Sequence, residues 1–239
     1  MMVNVPFKPI RLSIIVPVYN SHRVVMRHIK HFKKMNLPGD IEIIFMDDGS
    51  YPPLKDYFQG HGLKNFYIYP TGDKRPWTQP CAKNLGVKIS EGEYIFITDV
   101  DHIIPKKTVI QAYKFNGDKM GFKRSFAILS NNGDIFNDPK SLFKYGFSKV
   151  RYAKRGTSVY RHTNTFVMRK KVFKAIGGYR ERLCDKGVQW HRDDSFLNRD
   201  YRRHCAKGLC EPEVIGGDVY VFPDVAGDPK KLFHSLGRE

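Results

Sequence analysis

Apolar positions in the first hundred residues fall into two alternating kinds of segment. Leu12–Val18, Ile41–Met46, Phe66–Tyr69 and Tyr94–Thr98 are short, largely β-branched or aromatic runs, and they predict strands. Between them, His22–Met35 sets Val24, Val25, Ile29 and Phe32 on one stripe at helical spacing, and Cys81–Ile89 sets Leu85 and Ile89 four apart. Pro38 and Gly39 would stop the first of these helices. Strands apolar on both faces that alternate with helices imply a parallel sheet covered on two sides, so the expected fold class is α/β.

The second half is less regular. A helix after Pro105, a strand at Phe126–Leu129, a long basic loop region and a strand at Thr165–Met168 are predicted in turn. Helices follow over Lys170–Ile176, which Gly177 and Gly178 would cap, and over Asp194–His204. A chain of 239 residues has room for one sizeable core, and residues 1–239 read as one domain.

Composition adds less than charge does. The longest apolar runs fall well short of the roughly 20 residues of a membrane-spanning helix. Met1–Ile10 carries two prolines and no signal-like apolar core, so a cytoplasmic protein without a transmembrane segment is expected. Cys81, Cys184, Cys205 and Cys210 form no Cys-x-x-Cys pair, and reduced structural thiols are expected. The 41 Lys and Arg against 24 Asp and Glu give a net charge of +17, which calls for an anionic partner. Between Pro139 and Tyr179 stand eleven basic residues and no acidic one, with Tyr145, Phe147, Tyr152 and Tyr160 interleaved. Such a stretch suits the gripping of phosphate chains, and equally the solvated face of a basic protein.

Three of the predicted strands end in polar or acidic residues: Pro17-Val18-Tyr19-Asn20, Asp47-Asp48-Gly49-Ser50 and Asp99-Val100-Asp101-His102. Ligands of an open parallel sheet bind outside the carboxyl ends of its strands. Carboxylates that converge there repel one another unless a cation or ligand hydroxyls stand between them. Asp99 and Asp101, two residues apart, can approach one ligand together, and their hard oxygens suit Mn2+ or Mg2+ bridging a diphosphate. Local turn capping is the alternative role for such a pair.

Read in order, Val16-Pro17-Val18-Tyr19-Asn20, Asp47-Asp48-Gly49-Ser50, Lys83-Asn84-Leu85-Gly86, Gly92-Glu93-Tyr94-Ile95, Asp99-Val100-Asp101 and Arg192-Asp193-Asp194 resemble the family 2 glycosyltransferases of the GT-A fold, over about Leu12 to Arg203. The resemblance implies a Rossmann-like, mostly parallel central sheet flanked by helices. Residues 1–102 would form the nucleotide-sugar half and residues 103–239 the acceptor half. It further implies metal-dependent, inverting transfer of a sugar from a nucleotide-diphosphate sugar, UDP being the commonest carrier, to an acceptor hydroxyl.

Position by position, the resemblance implies that Pro17 and Asp48, with Tyr19, Asn20 and Lys83, hold the nucleotide, and that Asp99 touches the ribose and the metal. Asp101 would bind the metal, with His234 near the C-terminus or His102 beside the motif as a further ligand. Asp193 and Asp194 fall at the acidic catalytic motif, Asp194 as the general base, while an N-cap of the following helix is the alternative. The glycine usual before the Phe166–Arg169 strand is missing from Arg161–Thr165. The basic stretch points to a polyanionic acceptor, which among the acceptors that the resemblance implies would be DNA carrying hydroxymethylated bases, or else a lipid-linked or cell-surface polysaccharide phosphate. A sugar nucleotidyltransferase would need a glycine-rich loop after the first strand, where no glycine occurs before Gly39. Intact Asp48, Asp99, Asp101 and Asp194 argue against a non-catalytic nucleic-acid-binding protein.

Overall fold

The structure is a computed structural model that describes residues 9–58, 62–73, 75, 78–138, 140–141, 159–185 and 193–221. In chain order it contains β1 (Leu12–Val18), α1 (His22–Met35), β2 (Ile41–Asp47), α2 (Leu54–Tyr57), β3 (Phe66–Pro70), α3 (Gln79–Ile89), β4 (Tyr94–Ile97), β5 (His102–Ile103), α4 (Lys106–Lys114) and β6 (Lys119–Phe126). The short pair β7 (Ile128–Leu129) and β8 (Ile135–Phe136) follows, then β9 (Val159–Arg169), α5 (Lys170–Ala175), α6 (Arg182–Asp185), α7 (Asp193–Ala206) and β10 (Val214–Val221). Eight strands make one sheet in the order β3-β2-β1-β4-β9-β6-β10-β5. β3, β2, β1 and β4 run parallel, β9 opposes both β4 and β6, and β10 runs parallel to β6. The α/β expectation holds, with the parallel half coming first in the sequence.

Both faces of the parallel half are covered, which explains why β1 and β2 are buried at every residue. Leu12, Ile14, Val16 and Val18 of β1 pack on the side of Val24, Val25, Ile29 and Phe32 of α1. Ile15, with Ile44, Met46, Ile95 and Ile97, packs on the other side with Ala82 and Val87 of α3, Val172 and Phe173 of α5, and Leu197 and Tyr201 of α7. The period of two along each strand thus feeds two separate cores. Helix α1 has no side-chain N-cap and no acidic residue in its first turn, so packing holds it, at about 1.5–3 kcal/mol for each large apolar side chain buried. It ends at Asn36, whose left-handed backbone (φ 45°) is the cap, two residues before the predicted stop at Pro38 and Gly39. Gly177 and Gly178 do close α5, with positive φ angles and backbone bonds to Lys174 and Phe173.

The second half departs further from the expected pattern. The strand expected at Phe126–Leu129 is split: Phe126 ends β6, which begins at Lys119 and whose alternation Lys119, Lys123 and Arg124 hide, and Ile128–Leu129 form β7. Strand β10 was not foreseen. Its Gly216 lies so close to β6 that an added Cβ would sit 2.5 Å from Met120 Sδ. Cys205 and Cys210, expected as free thiols, are joined in a disulfide, and Cys81 and Cys184 remain free. Spacing in sequence could not show that Cys205, at the end of α7, and Cys210 lie only 4.6 Å apart at their Cα atoms. Among the described residues, no helix is long and apolar enough to cross a membrane.

Candidate functional site

The carboxyl ends of β1, β2 and β4 carry the three polar segments to one edge of the sheet, and side chains brace these loops against each other. Asn20, left-handed at φ 43°, accepts a bond from the Tyr51 amide (2.9 Å) and donates its own amide to Ser50 Oγ (3.0 Å). Buried Asp47 accepts from the Ser50 and Leu54 amides at 2.9 and 2.8 Å, so it shapes the loop. Its neighbour Asp48 points elsewhere: Oδ1 accepts from Thr71 Oγ1 (3.2 Å) and from Thr78 Oγ1. Burial raises the pKa of Asp48 while the two threonine hydroxyls oppose the rise. Pro17 is buried within β1, whereas Tyr19 is 60 % exposed at the mouth of the edge.

The loop after β4 forms the acidic centre. Ligand atoms of Asp99, Asp101 and His102 lie within 4.8 Å of one another. Asp99 Oδ1 accepts from Gln79 Nε2 (2.7 Å), and Oδ2 accepts from Asn164 Nδ2. His102 is buried with Nδ1 against Thr165 Oγ1, which also meets Thr98 Oγ1 at 3.2 Å. Behind the loop, buried His28 of α1 contacts the Val100 carbonyl through Nε2 (2.8 Å), and His31 contacts the carbonyls of Ile104 and Gly133, both at 3.0 Å. Two carboxylates and an imidazole in one cluster form a donor set that fits a divalent cation of the manganese or magnesium class.

Helices α3 and α7 bring the remaining chemistry to the same place. Lys83 of α3 has no exposed surface, and its Nζ lies 3.2 Å from Asp99 Oδ1 and 3.6 Å from Asp194 Oδ1. Burial alone would lower its pKa, but Asp194, Asp99 and Asp193 outweigh it and hold the ammonium above its ordinary value. Asp194 Oδ1 also accepts from the Tyr179 hydroxyl at 3.0 Å. Burial raises the pKa of Asp99, Asp193 and Asp194, with Lys83 pulling each back. Tyr179 is fixed in turn by Asn84, which accepts from its amide (2.9 Å) and donates to its carbonyl (2.8 Å). Asn198 ties the first turn of α7 down by donating to the Asp194 carbonyl (2.7 Å), while buried Lys119 donates to Asn198 Oδ1. Asp193 is the more buried of the two acids, and its Oδ2 has no hydrogen-bond partner among the described residues.

Asp48, Lys83, Asp99, Asp101 and Asp194 therefore come from separate stretches of sequence to the same edge of the sheet. His234, Arg192 and the part of the basic stretch from Lys144 to Arg155 lie outside the described residues. Gln79, Asn164 and Tyr179 were not singled out from the sequence, although each bonds directly to Asp99 or Asp194. The one available signal was that Asn164 stands in the segment lacking the usual glycine.

A family model described as Glycosyl transferase family 2 matches residues 13–177. Among relatives, the poly(ribitol-phosphate) beta-glucosyltransferase of Bacillus spizizenii is 28 % identical over 136 residues, which are 56 % of this chain and 21 % of that protein. The chain spans about a third or less of the length of the curated relatives it matches. Among solved structures, residues 1–349 of TarS from Staphylococcus aureus superpose with a TM-score of 0.59 at 19 % identity, covering 95 % of this chain and 63 % of that one. That fragment has also been solved with UDP and with UDP-GlcNAc. The mannosyltransferase PcManGT of Pyrobaculum calidifontis, in complex with GDP-Man and Mn2+, superposes equally well, at 0.59 and 16 % identity over 95 % of this chain and 61 % of that one.

Proposed function

The chain belongs to glycosyl transferase family 2 and has the GT-A type of fold, and from that premise we propose that it transfers a sugar from a UDP-sugar, with inversion, to a hydroxyl of a phosphate-containing polymer. The observation that carries this is the meeting of Asp99, Asp101 and His102 with the Lys83–Asp194 pair at one edge of the sheet. Residues 1–102 bind the donor and residues 103–239 receive the acceptor. Asp48 and the loop around Asn20 hold the nucleoside, with Tyr19 exposed beside them.

Asp101, Asp99 and His102 would hold a divalent cation, which when bound supplies Lewis-acid charge to the departing diphosphate. His234 remains a candidate fourth ligand. Asp194 takes the proton from the acceptor hydroxyl, because it is the less buried acid of the pair and is aimed by Tyr179 and Lys83. Lys83 opposes the rise that burial imposes on the pKa of the partly buried Asp99 and Asp194, and so positions them rather than reacting itself. A base opposite the leaving group gives a single displacement and an inverted anomeric centre.

UDP is favoured as carrier by the TarS complexes, and a polyol-phosphate acceptor by the names of the Bacillus and Staphylococcus relatives. The net charge of +17 fits that polyanion. Hydroxymethylated DNA, one of the acceptors that the resemblance implies and the one that charge and compactness favoured, draws no such support. A panel of nucleotide sugars with manganese, scored for nucleoside diphosphate released with and without poly(ribitol phosphate), tests the reading. Release from no donor would overturn the activity, and release stimulated by duplex DNA but not by the polymer would overturn the acceptor.

A further inference from the structure

A second concave feature lies at the opposite end of the sheet. It is a cleft of about 420 Å³ lined by Gly92, Glu93, Arg169, Lys170, Lys171 and Lys174, where β4 begins and antiparallel β9 ends. Glu93 and Asp99 flank β4 six residues apart, so the cleft is about 20 Å from the acidic centre at roughly 3.3 Å per residue. It is no part of the donor site.

Its charge is one-sided. Four of the six lining residues are basic, and the single acid, Glu93, is paired with Arg11. Arg169 Nε lies 3.5 Å from Asp118, and Lys170 donates to the Ser90 carbonyl. Lys171 and Lys174 are exposed and have no ion-pair partner among the described residues. Burial, and after it the nearby Lys174 ammonium, lower the pKa of Lys170 against a smaller opposing pull from Glu42 and Glu91. A row of lysines on the outer face of a short helix is ordinarily just solvated. Here the half-buried Lys170 is crowded by like charge inside a concavity, and an anion seated there would relieve both the crowding and the desolvation.

We propose that this cleft binds the phosphates of a phosphodiester polymer and serves as an outlying anchor for the same chain that is glycosylated at the carboxyl edge. The inference rests on the polyol-phosphate acceptor proposed above. A polymer occupies two sites at this separation at once, and the anchor then raises the effective concentration of its hydroxyls at the acidic centre. An anionic membrane fits the cleft less well, because its lining offers no apolar side chain to insert.

The test uses the full chain, inorganic polyphosphate as a sugar-free probe, and vesicles of phosphatidylcholine with phosphatidylglycerol. Polyphosphate should bind in a salt-sensitive manner, and K171E/K174E should weaken it by about 10-fold or more while hydrolysis of the nucleotide sugar is unchanged. Both lysines are exposed, so the variant should fold, and an unchanged melting temperature checks that. Lysine acetylation should be blocked by polyphosphate at Lys171 and Lys174. Equal binding by variant and parent, absence of protection, or binding of vesicles but not of polyphosphate would each overturn the anchor. Loss of binding in the variant of a chain that hydrolyses no donor would keep the anchor and sink the glycosyltransferase reading instead.

Discussion

His28 offers a measurement of how tightly the acidic loop is held from behind. Burial lowers its pKa from 6.5 to about 4, the Val100 carbonyl and Asp101 acting against the fall and His31 and His102 adding to it. The folded protein therefore binds fewer protons at His28 than the unfolded chain does between these two values. Stability must rise with pH across that window and be lost as pH falls through it. With 6.5 for the unfolded chain and about 4 for the folded one, the loss between about pH 7.5 and about pH 5 is roughly 2 kcal/mol from this residue alone. His28→Gln keeps a donor near the position of Nε2 and removes the titration. Urea unfolding of both proteins at the two pH values, with chelator present to exclude metal linkage, should show the parent losing about 2 kcal/mol more than the variant. Burial also lowers the pKa of His31, which is common to both proteins and cancels in the difference. Equal losses would refute the account of His28 as a neutral, buried brace.

Four further outcomes follow from the site. Excess chelator should abolish transfer and readdition of manganese restore it, as read by nucleoside diphosphate release. Asp101→Asn should lose most activity with an unchanged melting temperature, since one oxygen ligand weakens at constant volume; normal turnover would remove Asp101 from the metal site. Asp194→Asn should still bind donor while transfer falls roughly 100-fold or more, and if Asp193→Asn shows that loss instead, the base has been misassigned. Lys83→Met leaves the partly buried Asp99 and Asp194 without the cation they share, so unfolding measurements should find it destabilised by about 3–5 kcal/mol.

The parts of this protein that follow from local period were legible in its residues. β1, α1 and the parallel half of the sheet are built from runs whose apolar spacing is set by near neighbours, and Asp48, Asp99 and Asp101 were placed by their position just after such runs. β6 and β10 escaped because lysines, arginines and glycines interrupt their alternation, and these residues make sense only beside Asn198, Glu213 and Met120 of other elements. The same holds for the inside of the site. The resemblance puts Lys83 at the nucleotide, but its burial shows only once β4 and α7 close over it, and a buried ammonium is stable there only because Asp99 and Asp194 arrive from 16 and 111 residues away (99 − 83 and 194 − 83). Asn164 and Tyr179 gain their roles in the same manner, through the antiparallel return of β9 and the Asn84 clamp. Periodicity is paid for by neighbours along the chain and so can be read from it. Compensation of a buried charge depends on which distant groups the crossovers bring within about 4 Å, and that is decided only when the whole sheet has formed.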